Sequence, residues 1–246
     1  MGRLVILSGP SCVGKGPLYA ALRRFYPTWA DRLDRLVLYD SRAPRPGEVD
    51  GVDYHFRSRS FIEALRRKED YMVFEVRGDL QALDVGELEE KLKRSDVFFE
   101  GNPFIGRGLL EFIEQNEVEC LSVFLSPLSQ EEVVYLQTLA RDVSLPDFLT
   151  DVMRRKLLRR TAKQKGILSL KELEDIEIRA KSAYQELKQA WRFDAVIPNH
   201  DGEDGENWDA FYHPLGDARK ALLSFAALLE NQTARHVEKW GPELVP

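Results

Sequence analysis

The first sixteen residues constrain this chain more than any other stretch. An apolar run, Arg3–Ser8, passes straight into a loop bounded by two glycines: Gly9, Pro10, Ser11, Cys12, Val13, Gly14, then Lys15 and Gly16. Gly9 and Gly14 flank four residues and the lysine follows, which is the spacing of a phosphate-binding loop. Backbone N–H groups in such a loop converge on phosphate oxygens, and the lysine adds a point charge. A bare pattern of this kind also arises by chance as a glycine-rich turn, so the flanks decide. Before the loop lies a buried parallel strand. After it, Leu18, Leu22 and Phe25 recur at helical spacing, so a helix N-terminus faces the same anion.

A second segment, SRAPRPGEVDGVDYHF at residues 41–56, carries anion chemistry of its own. Arg42 and Arg45, three residues apart, can clamp a phosphate with forked, charge-assisted hydrogen bonds, and the Tyr54 hydroxyl supplies a further donor. Pro44, Pro46, Gly47 and Gly51 make this stretch a loop. The alternative is an ordinary solvated basic loop.

The two segments together resemble the guanylate kinase family, closely in the first 60 residues and patchily to about residue 230. The family's Thr-Arg-x-x-Arg-x-x-Glu-x-x-Gly-x-x-Tyr-x-Phe pattern falls on residues 41–56. The resemblance implies an α/β protein with the P-loop NTPase three-layer fold, a mostly parallel sheet and a helical lid insertion. It also implies transfer of the γ-phosphoryl group of ATP, with Mg²⁺, to a nucleoside monophosphate, GMP being the default. In that reading Gly9–Gly16 cradles the donor and Lys15 holds its β- and γ-phosphates. Arg42, Arg45 and Tyr54 would take the acceptor phosphate, Glu48 would orient the arginines, and Glu75 would read the base. Arg159 (or Arg160) and Arg179 match the family's lid and post-lid arginines. Asn199 matches the asparagine of its closing segment.

The rest of the chain fits one α/β enzyme. Its 246 residues, 43% apolar and 31% charged, are ample for a globular core. No apolar run approaches membrane-spanning length, and the two cysteines give neither a disulfide framework nor metal spacing, so a cytoplasmic protein is expected. A net charge of −6 argues against general nucleic-acid binding, and the resemblance implies small-molecule nucleotides as the partners. The four histidines are too scattered to form a metal site.

Patterning predicts strands near 3–8, 36–39, 71–76, 96–100, 119–125 and 194–197. Helices are expected near 16–26, 60–68, 84–94, 107–115, 129–139, 147–164, 169–191 and 217–232. Residues 1–230 form the domain, with an acceptor-binding segment at about 36–95 and a lid at about 127–180. Within that lid, residues 140–158 resemble an insertion. Residues 231–246 form a tail that either packs Trp240 or lies disordered. DVMRRKLLRRTAKQK, residues 151–165, places seven basic residues in fifteen, either over a transferring phosphoryl group or as a solvated helix face.

Departures from the family set alternatives beside this reading. Pro17 stands where a threonine is usual and lacks an N–H. Cys12 replaces a loop glycine, and a thiol beside a helix N-terminus can be acidic. The expected Tyr-Tyr-Gly-Ser/Thr reads Leu83-Asp84-Val85-Gly86, the serine near Leu38 is missing, and Asp-x-Asp reads Glu100-Gly101-Asn102. These changes allow a kinase for a modified nucleotide or sugar phosphate, or a catalytically weak binding module. The acidic stretch 200–214 reads as a surface insertion.

Overall fold

Strand β1 (Leu4–Ser8) is wholly buried, and its side chains alternate between two hydrophobic cores. The structure is a computed structural model that describes residues 2–45, 47–138 and 142–246. Pro46, and residues 139–141 of the expected helix and insertion, lie outside the described residues. After β1 the chain runs through α1 (Lys15–Phe25), α2 (Pro27–Ala30), β2 (Leu33–Arg35), β3 (Tyr39–Asp40), β4 (His55–Phe56) and α3 (Arg59–Leu65). Next come β5 (Tyr71–Val76), β6 (Asp79–Asp84), α4 (Val85–Leu92), β7 (Asp96–Gly101), α5 (Pro103–Asn116) and β8 (Cys120–Ser126). The chain closes with α6 (Gln130–Thr138), α7 (Leu145–Lys165), α8 (Leu170–Leu187), β9 (Ala195–Pro198) and α9 (Gly216–Leu229).

The main sheet has the order β2-β7-β1-β8-β9, parallel throughout. Val5 and Leu7 face α1 and α9, through Leu18, Leu22 and Phe225. Leu4 and Ile6 face the other way, toward Leu88 of α4, Leu109 of α5 and Leu187 of α8. Helices therefore cover both faces, and burial of each of these strand side chains contributes roughly 2 kcal/mol. In such a sheet ligands bind beyond the carboxyl ends of the strands, where the loop after β1, Asn102 after β7 and Asn199 after β9 all lie.

This is the mostly parallel sheet that the sequence leads one to expect. A second sheet, β4-β3-β6-β5, is built on antiparallel pairing of β6 with both β3 and β5. The expected strand at 36–39 falls largely in the gap between β2 and β3, and β6 was not foreseen. Both of its faces are buried, Leu80 and Ala82 against α3 and Leu83 in the main core, so its apolar residues do not alternate.

Local signals fix the later helices. Ser169 and Glu172 form a reciprocal capping box at the start of α8. Asn102 caps α5, with Pro103 in its first turn. Helix α7 packs Leu149, Met153 and Leu157 into the main core. The tail packs too: Trp240 is buried, Glu238 bridges to Val196 beside β9, and the Gln137 amide donates to the Leu244 carbonyl.

Candidate active site

Gly9–Gly16 is held by close approach. A Cβ on Gly9 would lie 2.4 Å from the Leu125 carbonyl oxygen, and Gly14 has φ 104° with the Asn199 amide against it. Asn199, wholly buried, donates from Nδ2 to the Val13 carbonyl at 2.8 Å and so pins the loop to the end of β9. The Lys15 ammonium is turned inward, donating to the Gly9 and Pro10 carbonyls at 2.8 Å each. Burial lowers its pKa, opposed by the nearby Glu203 and Glu100 carboxylates. Pro17 sits in the first turn of α1, where a backbone N–H has no helical partner to lose.

Cys12 adopts a left-handed conformation, φ 65°. Its thiol is not acidic: burial, then Glu203, pushes its pKa up to about 12, outweighing Arg160 and Arg179.

The 41–56 segment is organised around Glu48. Arg42 donates to both Glu48 oxygens, from NH1 at 2.6 Å and NH2 at 2.8 Å, and the Arg45 backbone N–H donates to Glu48 Oε2 at 2.7 Å. Burial works against the charged carboxylate, but these donors hold Glu48 below its usual range. The Arg42 guanidinium also stacks over the Tyr54 ring, 5.1 Å from its centroid. Sequence reasoning missed Asp40. Its fully buried carboxylate accepts the Arg42 backbone N–H at 3.0 Å and the Gln81 amide at 2.7 Å. Only its place two residues before Arg42 hinted at this.

Helices α7 and α8 bring arginines toward the loop. Arg179, on α8 and 5% exposed, donates from Nε to the Ser11 hydroxyl at 3.1 Å. Burial first, then the charges of Arg160, Arg45 and Arg77, lower its pKa, so cations from α7, from the 41–56 segment and from the β5–β6 turn all act on it. Arg160 donates to Glu203 at 2.7 Å. Arg159, the residue expected in this role, instead has a side chain 67% exposed and pairs with Asp204. Glu75 also lies apart. It is exposed on β5 opposite Leu80, on the α3 face, whereas Phe74 pairs with Gln81 on the face that carries Asp40.

The acidic stretch 200–214 is only half a surface insertion. Phe211 and Tyr212 are exposed, but the Glu203 backbone N–H donates to the Cys12 carbonyl and its carboxylate lies in the field of Lys15. Burial opposes that carboxylate's charge, yet Arg160 and Lys15 hold its pKa below the usual value.

Among the described residues, no group of three or more His, Cys, Asp or Glu is gathered as for a metal ion. Mg²⁺ held largely by substrate phosphates needs only one or two carboxylates. Glu100 meets that need: its Oε1 is 3.8 Å from where a Cβ on Gly16 would stand, and it lies in the field of Lys15. The residues present therefore fit Mg²⁺, although Gly16 brings no hydroxyl.

The fold and the site define a three-layer α/β protein of the P-loop class. The family model described as guanylate kinase matches residues 1–94. A guanylate kinase of Mycobacterium bovis is 33% identical over 161 residues, covering 64% of this chain and 71% of that protein. One of Synechococcus sp. (strain JA-3-3Ab) is 35% identical over 134 residues, covering 54% of this chain and 58% of that protein. A crystal structure of guanylate kinase from Anaplasma phagocytophilum is 22% identical, with a TM-score of 0.49, covering 81% of this chain and 78% of that one. This chain belongs to the guanylate kinase family.

Proposed function

We propose that this protein transfers the γ-phosphoryl group of ATP, with Mg²⁺, to a nucleoside monophosphate, with GMP as the default acceptor. The observation that carries this reading is the meeting at Arg179, which touches Ser11 in the loop and lies in the field of Arg45 and Arg160. Two phosphate-binding elements thus face one another across a single cluster of positive charge. The family relatives, named guanylate kinases, support the same reaction.

In this reading Lys15 exchanges its two loop carbonyls for the β- and γ-phosphates of the donor. Arg42, Arg45 and Tyr54 hold the acceptor phosphate, with Glu48 fixing both arginines. The acceptor's phosphate oxygen attacks the γ-phosphorus, and the electron pair of the broken bond stays on the β-phosphate, giving ADP. Charge spreads over the transferring oxygens, where Arg160 and Arg179 stabilise it. Glu100 would hold Mg²⁺, which supplies charge neutralisation. No side chain need form a covalent intermediate.

The test is ADP formation from Mg-ATP against GMP, dGMP, AMP, IMP and ribose phosphates. Turnover with GMP is expected. Absence of turnover with every acceptor, alongside measurable nucleotide binding, sinks the proposal.

A further inference from the structure

The hairpin of the small sheet reaches the cleft through a residue outside every motif above. Arg77 is the first of the two residues turning β5 into β6 and holds φ at 56°, followed by Gly78 at 89°. Positive φ at both positions is a turn that Asn or Gly fills most readily. A long side chain kept there against its backbone preference is held by its contacts, and such sites cluster where function uses them.

Those contacts lie more than a hundred residues away. Arg77 Nε donates to Ser182 Oγ at 2.9 Å and to Glu186 Oε1 at 2.8 Å, and its NH2 donates to the same oxygen at 2.5 Å. Glu186 Oε1 also accepts from the Asn102 amide at 2.9 Å and the Ser182 hydroxyl at 2.8 Å. Glu186 is wholly buried, and its second oxygen has no partner among the described residues.

One carboxylate therefore ties together three parts of the site. These are the turn of the acceptor-side sheet, Asn102 beyond β7, and α8, which carries Arg179 two turns before Glu186. Behind burial and the charges of Glu203 and Glu100, Arg77 and Glu186 act on Lys15 with opposite signs, which puts the pair beside the phosphate loop.

Resting on the phosphoryl-transfer reading, we propose that Arg77 and Glu186 are positioning residues whose ion pair sets the acceptor-binding sheet against the phosphate loop. Transfer requires the acceptor oxygen and the γ-phosphorus to sit about 3–3.5 Å apart and aligned, and a displacement of about 1 Å costs on the order of 100-fold in rate. The pair fixes that separation because its anion is desolvated and has no alternative cation among its hydrogen-bond partners.

The test uses Arg77→Met, at a hairpin turn, with Glu186→Gln as the matching change in the core. With ATP and GMP, each variant is expected to lose about 10–100-fold in kcat, with either KM moving less than threefold. The double variant should be little worse than the worse single one. Spin labels at Glu63→Cys on α3 and Arg219→Cys on α9, both exposed positions, report the separation of the two sheets without needing turnover. A broader distance distribution in Arg77→Met supports the proposal. An unchanged distribution overturns it whatever kcat does, and so does a kcat within twofold of the parent. An inactive parent enzyme would remove the phosphoryl-transfer reading while leaving the distance measurement to judge the pair.

Discussion

Arg179 Nε and Ser11 Oγ are 3.1 Å apart although 168 residues separate them in sequence. The contact joins α8 to the loop before α1, so a movement of α8 is felt in that loop. The same guanidinium is bonded to Asp175 one turn earlier, which keeps it aimed at the loop. Two elements far apart in the sequence thus meet in space.

Lys15 is the first residue to change. Its ammonium is buried against two carbonyls and, among the described residues, has no ion-pair partner within bonding distance, so Lys15→Met removes a buried charge while leaving the surrounding core in place. The loss of kcat/KM is expected to be about 10³-fold, near 4 kcal/mol of transition-state stabilisation. Steady-state kinetics with thermal unfolding as a control checks this. Full activity in the variant would remove the phosphate-loop assignment.

The lid arginines separate by one position. Arg160 lies beside Cys12, Glu203 and Arg179, and Arg159 faces solvent. Arg160→Met is expected to reduce kcat about 100-fold, whereas Arg159→Met should stay within about twofold. A reversed order would mean that α7 rotates when the donor binds.

What the sequence made legible follows from which signals are periodic. β1, the loop and α1 were readable because an apolar run, two glycines and a helical stripe stand in unbroken order. The small sheet was not, because β6 is buried on both faces and β3 and β4 are two residues each. Side-chain direction was legible nowhere in this region. Strand neighbours face opposite ways, so a motif alignment off by one residue turns Glu75 from the cleft to the α3 face. Successive helix residues differ by about 100°, so a run of basic residues does not say that Arg160, rather than Arg159, faces the loop. Arg77 gave no signal, since its role depends on a turn conformation and a partner on α8.

The placement of Glu75 has a kinetic consequence. Glu48 holds Arg42 by both oxygens and the Arg45 amide by one, so Glu48→Ala frees both arginines. The KM for GMP is expected to rise about tenfold, with the KM for ATP unchanged, because charge-assisted bonds contribute roughly 1.5–3 kcal/mol each. Glu75→Ala, on the opposite face, should leave both constants within about twofold. A tenfold rise in the Glu75 variant would show that the hairpin rearranges around the acceptor.

His200, one residue beyond Asn199, gives the fold a pH dependence. Its Nδ1 lies 2.6 Å from Asp217 Oδ2 and its Nε2 lies 2.9 Å from Glu132 Oε2, while Lys220 shares Asp217 at 2.8 Å. Burial disfavours the imidazolium, but the two carboxylates outweigh it and raise the pKa above its usual 6.5. A pKa raised in the folded state stabilises fully below the unfolded value and is lost as pH rises through the folded one. Thermal stability should therefore fall from pH 6 toward pH 8. With the ring 47% exposed, solvent screening keeps the change small, about 1–2 °C in Tm. The same residue's carbonyl accepts from Lys156, which ties α7 to this turn. His200→Asn should flatten the Tm profile across this range. An equal slope in the variant would assign the pH dependence to other groups.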